Sequence, residues 1–267
     1  MRQTYYKMIK AIFFDIDGTL ISFKTHQMPE STLKALNALR EKGIKLFISS
    51  GRPEILIHHI DFFKFDAYIL MNGAVCYTGD HDTIYRSIIP EDDLKRLIEY
   101  SKESPHPFVF VYGKEWFITH TNKTVDKISQ LIDIPAPPIR PIKEALQHNV
   151  SQIMGYFPQE ADEEVFGKIL THCQPMRWHP DFTDITVKGT SKSSGMDKIL
   201  EYYNIPLEDC MAFGDGGNDI HMLEHAAIGV AMGNAEEKVK AVADYVTASV
   251  DDDGLYKALI HFGCIDQ

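Results

Sequence analysis

Cysteine is scarce in this sequence and never closely spaced. Cys76, Cys173, Cys210 and Cys264 form no CxxC pair, which argues against a zinc ribbon or a dithiol redox site and fits reduced, buried thiols of an intracellular protein. Long apolar runs are missing too. No stretch approaches the roughly 20 residues that span a bilayer, and the polar start MRQTYYKMIK has no apolar segment of the signal-peptide kind. The cytoplasm is therefore the expected location, with no membrane partner. The third shortage is of basic residues: 27 Lys and Arg stand against 38 Asp and Glu, a formal net charge of -11. Nucleic acid and anionic surfaces both demand a basic face, so neither is an expected partner. A local basic pocket for a small anionic substrate remains compatible with that charge.

What is present is the composition of an ordinary globular protein, 44% hydrophobic and 24% charged over 267 residues. That length suits one large α/β domain, or a core domain with a smaller second one. No internal repeat or low-complexity tract is visible. Residues 10–71 alternate strand and helix signals: apolar runs at 11–14, 44–48 and 67–70, and a helical stretch at 29–41 with Leu33, Leu36 and Leu39 on one face, ended by Gly43. The same rhythm returns after about residue 190, with helices expected at 193–203, 218–225, 235–243 and 255–262 and strands at 211–213, 228–231 and 245–247. Neither half completes a sheet alone, so the expected fold is α/β, a Rossmann-like doubly wound parallel sheet assembled from residues 1–82 and 189–267.

Between them, residues 83–188 read as an α+β insertion. Helices at 90–103, 124–132 and 160–171 alternate with strands at 108–112, 116–120, 152–157, 176–178 and 182–187, an order that suggests an antiparallel sheet with helices on one face. An insertion at that point is expected to cover the catalytic edge of the core.

Chemistry concentrates at two acidic segments near opposite ends of the chain, Asp15-Ile16-Asp17-Gly18-Thr19 and Gly214-Asp215-Gly216-Gly217-Asn218-Asp219. Each begins where an apolar strand stops, so both should emerge at the carboxyl edge of one parallel sheet. Clustered carboxylates repel unless a cation sits among them, which points to a divalent-metal site acting on an oxygen-rich group such as phosphate. Asp15, at the strand end, is placed to attack phosphorus. Asp17, two residues on, can hand a proton to the leaving oxygen and later take one from water. Ser50-Gly51-Arg52 follows the second strand, and its hydroxyl and free amides suit a phosphate oxygen; alone, Ser-Gly before Pro53 is also a common helix cap. Lys192 opens a helix, where a cation opposes the dipole and asks for a compensating anion; it is preferred to Lys188. Asp215 is the expected direct magnesium ligand together with Asp15 and one backbone carbonyl, and Asp219 a water-mediated ligand or a brace for Lys192.

Other candidates weigh less. His221 and His225 are four apart on an expected helix but lack the HExxH arrangement, and His58-His59 reads as helix surface. The Arg177–Asp184 turn is either a substrate-facing loop or an ordinary hairpin.

Taken together, DIDGT, SSGR, GTSK and GDGGND in this order, with a large insertion between the second and third, resemble the haloacid dehalogenase (HAD) superfamily, Cof-type subclass IIB. The likeness extends to Met71-Asn72-Gly73-Ala74 and to the 227–234 stretch, and it is similar to bacterial sugar phosphatases of that branch, including hexose-phosphate phosphatases from gut Bacteroides. The resemblance implies a C2B cap and Mg2+ as cofactor. It makes Asp15 the nucleophile, Asp17 the acid/base and the carbonyl metal ligand, and Asp215 a metal ligand supported by Asp219. Ser50 and Lys192 would bind the phosphoryl group with help from Asn218. A halide leaves unprotonated and needs no proton donor two residues after the nucleophile, so Asp17 favours phosphate-ester hydrolysis. The expected activity is a Mg2+-dependent phosphatase for small phosphorylated metabolites, sugar phosphates above all, in a monomer. A sugar phosphomutase and a non-catalytic phosphometabolite-binding protein are the alternatives.

Overall fold

A computed structural model describes residues 9–57, 60–104, 106–132 and 134–266 of the chain; His58 and His59 lie outside the described residues. The first elements are β1 (Ala11–Phe14), α1 (Glu30–Glu41), β2 (Lys45–Ser49), β3 (Ala67–Leu70), β4 (Val75–Thr78) and β5 (Thr83–Arg86). Then follow α2 (Glu91–Tyr100), β6 (Phe108–Tyr112), β7 (Glu115–Ile118), α3 (Lys123–Ile132), β8 (Gln152–Gly155), a single helical turn α4 (Asp162–Glu164), β9 (Cys173–His179) and β10 (Phe182–Val187). The chain ends with α5 (Lys192–Tyr203), β11 (Cys210–Gly214), α6 (Ile220–His225), β12 (Ile228–Ala231), α7 (Glu237–Lys240), β13 (Tyr245–Val246) and α8 (Gly254–His261).

These elements pack as two compact units. One takes in the described residues up to Gly51, then Asp61–Tyr85 and the chain from Ser191 on; the other takes in Arg52–Ile60 and Arg86–Thr190. Compared with the expected insertion at 83–188, the second unit also holds residues 52–60, where Glu54 pairs with Lys114 at 3.0 Å.

The first unit is an α/β layer structure on an eight-stranded sheet of order β13-β12-β11-β1-β2-β3-β4-β5. β1 is central and parallel to both neighbours, with Phe14 level with Phe213 on β11 and with Ile48 on β2. Its four residues are wholly buried, as expected of a strand covered on both faces. One face packs Phe13, Phe47 and Ile69 against Met196 and Ile199 of α5 and Leu223 of α6. On the other, Phe14 stacks on Phe213 with ring centres 5.5 Å apart. Each such buried aromatic contributes roughly 1.5–3 kcal/mol through the hydrophobic effect.

Several expectations shift in detail. The buried stripe of α1 is Thr32, Ala35, Leu36 and Leu39, with Leu33 only half-buried. Gly43, at φ 76°, ends that helix and lets Ile44 N–H donate back to Leu39 C=O at 3.1 Å. β4 and β5 were not foreseen, and β4 runs antiparallel to β3, so the sheet is mixed. The expected helix 235–243 shrinks to α7, because the amides of Val242 and Ala243 turn to i−3 carbonyls and tighten the last turn out of α geometry.

The second unit is an antiparallel sheet of order β7-β6-β8-β10-β9. Its core joins Phe108, Phe110, Ile153 and Ile185 to Leu94 and Leu97 of α2 and to Val165 and Leu170. The expected helix 160–171 breaks into a 3-10 turn, α4 and a π turn at Val165–Ile169, where Leu170 N–H reaches Val165 C=O at 2.7 Å. Gly167 inside that turn lowers the cost of leaving α geometry and offers nothing to hold it. Among the described residues, no helix is long and apolar enough to cross a membrane, and all four cysteines are free and buried.

Candidate active site

Strand register sets the site. Because β1 and β11 run side by side in parallel, the residues following them leave the sheet at the same edge: Asp15 N–H donates to Phe213 C=O at 3.0 Å, and Asp215 comes one residue after the end of β11. The chain beyond Asp15 closes at once into a turn, with Leu20 and Ile21 N–H donating to Ile16 C=O and Gly18 N–H to Ile21 C=O, all within 2.9 Å. Asp17 sits half-buried on that turn. Gly18 is required there: its φ is 82°, and a Cβ would run into Asp215 Oδ2.

Lys192 is the hub of the cluster. It is the first residue of α5, whose N-cap Ser191 accepts from Ser194 N–H while the Ser194 hydroxyl accepts from Ser191 N–H. With the side chain fully buried, its Nζ donates to Asp15 Oδ1 at 2.5 Å and to Asp219 Oδ1 at 2.6 Å. Burial alone would pull its pKa down, but the two carboxylates outweigh it and raise the value. The lysine is thus held as an ammonium at a helix start, where the dipole disfavours it and the anions repay the cost.

The carboxylates divide into different environments. Asp219 is consumed by bracing: Oδ1 accepts from Lys192, and Oδ2 accepts from the amides of Asp215 and Gly216 at 3.0 and 2.9 Å. A Cβ on Gly214 would lie 2.6 Å from the Asp219 side chain, so glycine is what lets this brace sit against the strand. Asp215 accepts from Thr19 Oγ1 at 3.0 Å through Oδ1 and from Asn234 Nδ2 at 3.1 Å through Oδ2. Asp15 Oδ2 takes no hydrogen bond from any described residue.

One oxygen from each of Asp15, Asp215 and Asp219 falls within a 4.8 Å group. Burial pushes Asp15 well above the usual carboxylate range despite Lys192, and burial with the Asp219 charge pushes Asp215 up to about 7. So much negative charge around one ammonium calls for another cation, and hard carboxylate oxygens with room for water suit a small divalent ion. The donor set therefore fits Mg2+, with Asp15 and Asp215 better placed to bind it than the fully engaged Asp219.

The remaining sequence candidates fall into place unevenly. Ser50 is buried one residue past β2, its N–H donating to Ile69 C=O at 2.8 Å and its C=O accepting from Asn72 N–H at 3.0 Å. Asn218 is exposed and donates through Nδ2 to Asn72 Oδ1 at 3.0 Å. Gly51 underlies the Asn72 amide, which a Cβ there would meet at 3.1 Å. Arg52 belongs to the second unit, where it donates to Leu56 C=O at 3.2 Å. Lys188, the rival to Lys192, donates to Thr171 C=O at 2.8 Å within that unit. His225 pairs with Asp197 at 2.7 Å and His221 with Glu224 at 3.5 Å, so the two histidines do not converge on a metal. Arg177 clasps Asp162 and the carbonyls of Pro180 and Phe182, the bonding of a closed hairpin. Sequence reasoning assigned no role to Thr19, Asn72 or Asn234; all three lie in segments matched to the family, and that was the available signal.

Parallel strands that deliver two acidic turns to one sheet edge, beside a buried lysine at a helix start, define an α/β enzyme of the phosphoryl-transfer type. The chain belongs to the haloacid dehalogenase-like hydrolases, whose family model matches residues 12–259. It is similar to BT1666 of Bacteroides thetaiotaomicron, a phosphatase of the HAD superfamily, with a TM-score of 0.91 and 40% identity over 99% of this chain and 98% of that one. It is also similar to BT4131, a subclass IIB sugar phosphatase, with a TM-score of 0.86 and 44% identity over 96% and 100% of the two chains. YbhA of Escherichia coli, a pyridoxal phosphate phosphatase, is 31% identical over 92% of this chain and 96% of its own. The protein is accordingly a HAD phosphatase of subclass IIB.

Proposed function

We propose that this phosphatase is a Mg2+-dependent phosphomonoesterase for small phosphorylated metabolites, hexose phosphates foremost, working through an aspartyl-phosphate on Asp15. The observation that carries the reading is the Lys192–Asp15 pair at 2.5 Å. It holds one oxygen of the nucleophile and leaves Oδ2 for attack. Sugar phosphates are favoured because BT4131, at 44% identity, is a sugar phosphatase.

The steps assigned to the chain's own residues balance as follows. Asp15 Oδ2 forms a bond to phosphorus as the bond from phosphorus to the leaving oxygen breaks, and Asp17 gives that oxygen its proton. Asp17 then takes a proton from water as the water oxygen bonds to phosphorus and the acyl-phosphate bond breaks, which restores both aspartates and releases inorganic phosphate. Lys192 steadies negative charge on Asp15 and on the phosphoryl oxygens, and Ser50 with Asn218 orients the group. The carboxylates of Asp15 and Asp215 and the main-chain carbonyl of Asp17 would hold Mg2+, which supplies counter-charge to the carboxylates and the phosphoryl oxygens.

Asp15→Asn keeps the size of the side chain and removes the nucleophile. Phosphate release from p-nitrophenyl phosphate is expected to fall to background while circular dichroism stays that of the parent. Substantial residual turnover would overturn the nucleophile assignment. A panel of hexose, pentose, polyol, nucleotide and pyridoxal phosphates, ranked by kcat/KM, tests the substrate class; a hexose phosphate at the head of the ranking is the expected result.

A further inference from the structure

Between β3 and β4 the chain reverses through three consecutive residues in the left-handed region: Met71 at φ 51°, Asn72 at 52° and Gly73 at 99°. For methionine that conformation is unfavourable, and such strain persists only where the surroundings over-determine it. Here they do. Asn72 N–H is tied to Ser50 C=O at 3.0 Å, and a Cβ on Gly73 would collide with the carbonyl oxygen of Ser191, so the turn is wedged between the end of β2 and the helix start that carries Lys192.

The wedge holds one side chain in place. Asn72 is 2% exposed, lies over Gly51, and accepts from Asn218 through Oδ1. In this pair Asn72 Oδ1 is the acceptor, which leaves Nδ2 as the other end of its amide. Asn72 Nδ2, the other end, has no acceptor among the described residues. A donor with no partner among the described residues, on an amide whose oxygen is already spent on a neighbour, is open to the oxygen of a ligand.

Its neighbours say what that something is. Asn72 is bonded to Ser50 and Asn218 and packed on Gly51, three residues given to the phosphoryl group above, and the turn abuts the residue preceding Lys192. A neutral N–H donor suits an anionic oxygen in a site already crowded with carboxylates, since it adds attraction without another charge to desolvate. We infer that Asn72 is a further substrate-binding residue: its Nδ2 donates to an oxygen of the phosphoryl group while its Oδ1 fixes Asn218. The inference rests on the phosphatase reading proposed above, and it explains why a strained turn is kept at this point of the sheet.

Asn72→Asp separates a substrate contact from a brace. Aspartate tolerates a left-handed φ and still accepts from Asn218, so a residue that only positions Asn218 would survive the change. As a phosphoryl donor it would not, because the replacement removes the N–H and aims a carboxylate at an anion. The expected result is a melting temperature close to the parent, kcat/KM for p-nitrophenyl phosphate lower by about tenfold to a hundredfold, and a similar rise in the inhibition constant of inorganic phosphate. Asn72→Ala should weaken phosphate inhibition as well, through loss of both bonds. Parent-like kcat/KM and phosphate inhibition in Asn72→Asp would overturn the inference and leave Asn72 as a brace. Failure of the phosphatase reading itself shows separately, as no phosphate release by the parent protein from any ester of the substrate panel.

Discussion

At the scale of single residues, the site is governed by which atoms are already engaged. Asp219 has both oxygens committed to Lys192 and to two backbone amides, whereas Asp15 keeps Oδ2 and Asp215 is held by single bonds from Thr19 and Asn234. Identical side chains thus acquire different work from their partners. Gly18 is the residue on which this spacing depends most directly. Alanine there would have to hold φ at 82° with its Cβ driven into Asp215 Oδ2 and 2.5 Å from the ring of Phe23. Gly18→Ala is expected to lower kcat/KM by about a hundredfold, the cost of a misplacement on the order of 1 Å, and to lower the melting temperature. An active, equally stable variant would mean that the turn relaxes freely. The acids at strand ends were legible in the sequence because an apolar run followed by Asp-x-Asp-Gly is a local pattern. Thr19, Asn72 and Asn234 were not, because each acts through a hydrogen bond to a residue remote in the chain.

At the scale of elements, periodicity located most strands and helices, and neighbours decided their ends. β1 and β3 lie where their apolar runs predict, since continuous burial in a central strand leaves a plain signature. The 160–171 segment did not become one helix, because Gly167 and a π turn break its hydrogen-bond ladder. β4 was missed because its identity as a strand depends on pairing back onto β3 after a left-handed turn. β10 carries a testable consequence of burial. Asp184 on that strand has no ion-pair partner among the described residues, and burial pushes its carboxyl up to about 7. Between the ordinary carboxylate range and that value the native state keeps a proton that the unfolded chain has released. Native protein then binds more protons than unfolded protein, so this group's contribution to stability is lost as pH rises through that window. The melting-temperature difference between Asp184→Asn and the parent should widen in the variant's favour from pH 5 to pH 8. A constant difference would show that Asp184 is ionised in the folded protein.

At the scale of the whole molecule, the acidic cluster exists only in the folded chain. Thr19 and Asp215 are 196 positions apart, and Lys192 is 177 from Asp15. A cation held by these carboxylates binds the native state and not the unfolded one, so it must stabilise by mass action. Added Mg2+ is expected to raise the melting temperature at neutral pH, and chelation to abolish phosphate release. Asp215→Asn should blunt both the Mg2+ response and the activity; a full thermal response in that variant would place the ion elsewhere. The sequence by itself pointed to phosphoryl chemistry, because the proposed nucleophile, proton donor and lysine each fall on a local pattern of strand end, turn or helix start. Only the tertiary structure decided that Asp219 braces, that Asn234 and Thr19 hold Asp215, and that Asn72 stands at the site, since those roles depend on contacts between segments that periodicity cannot pair.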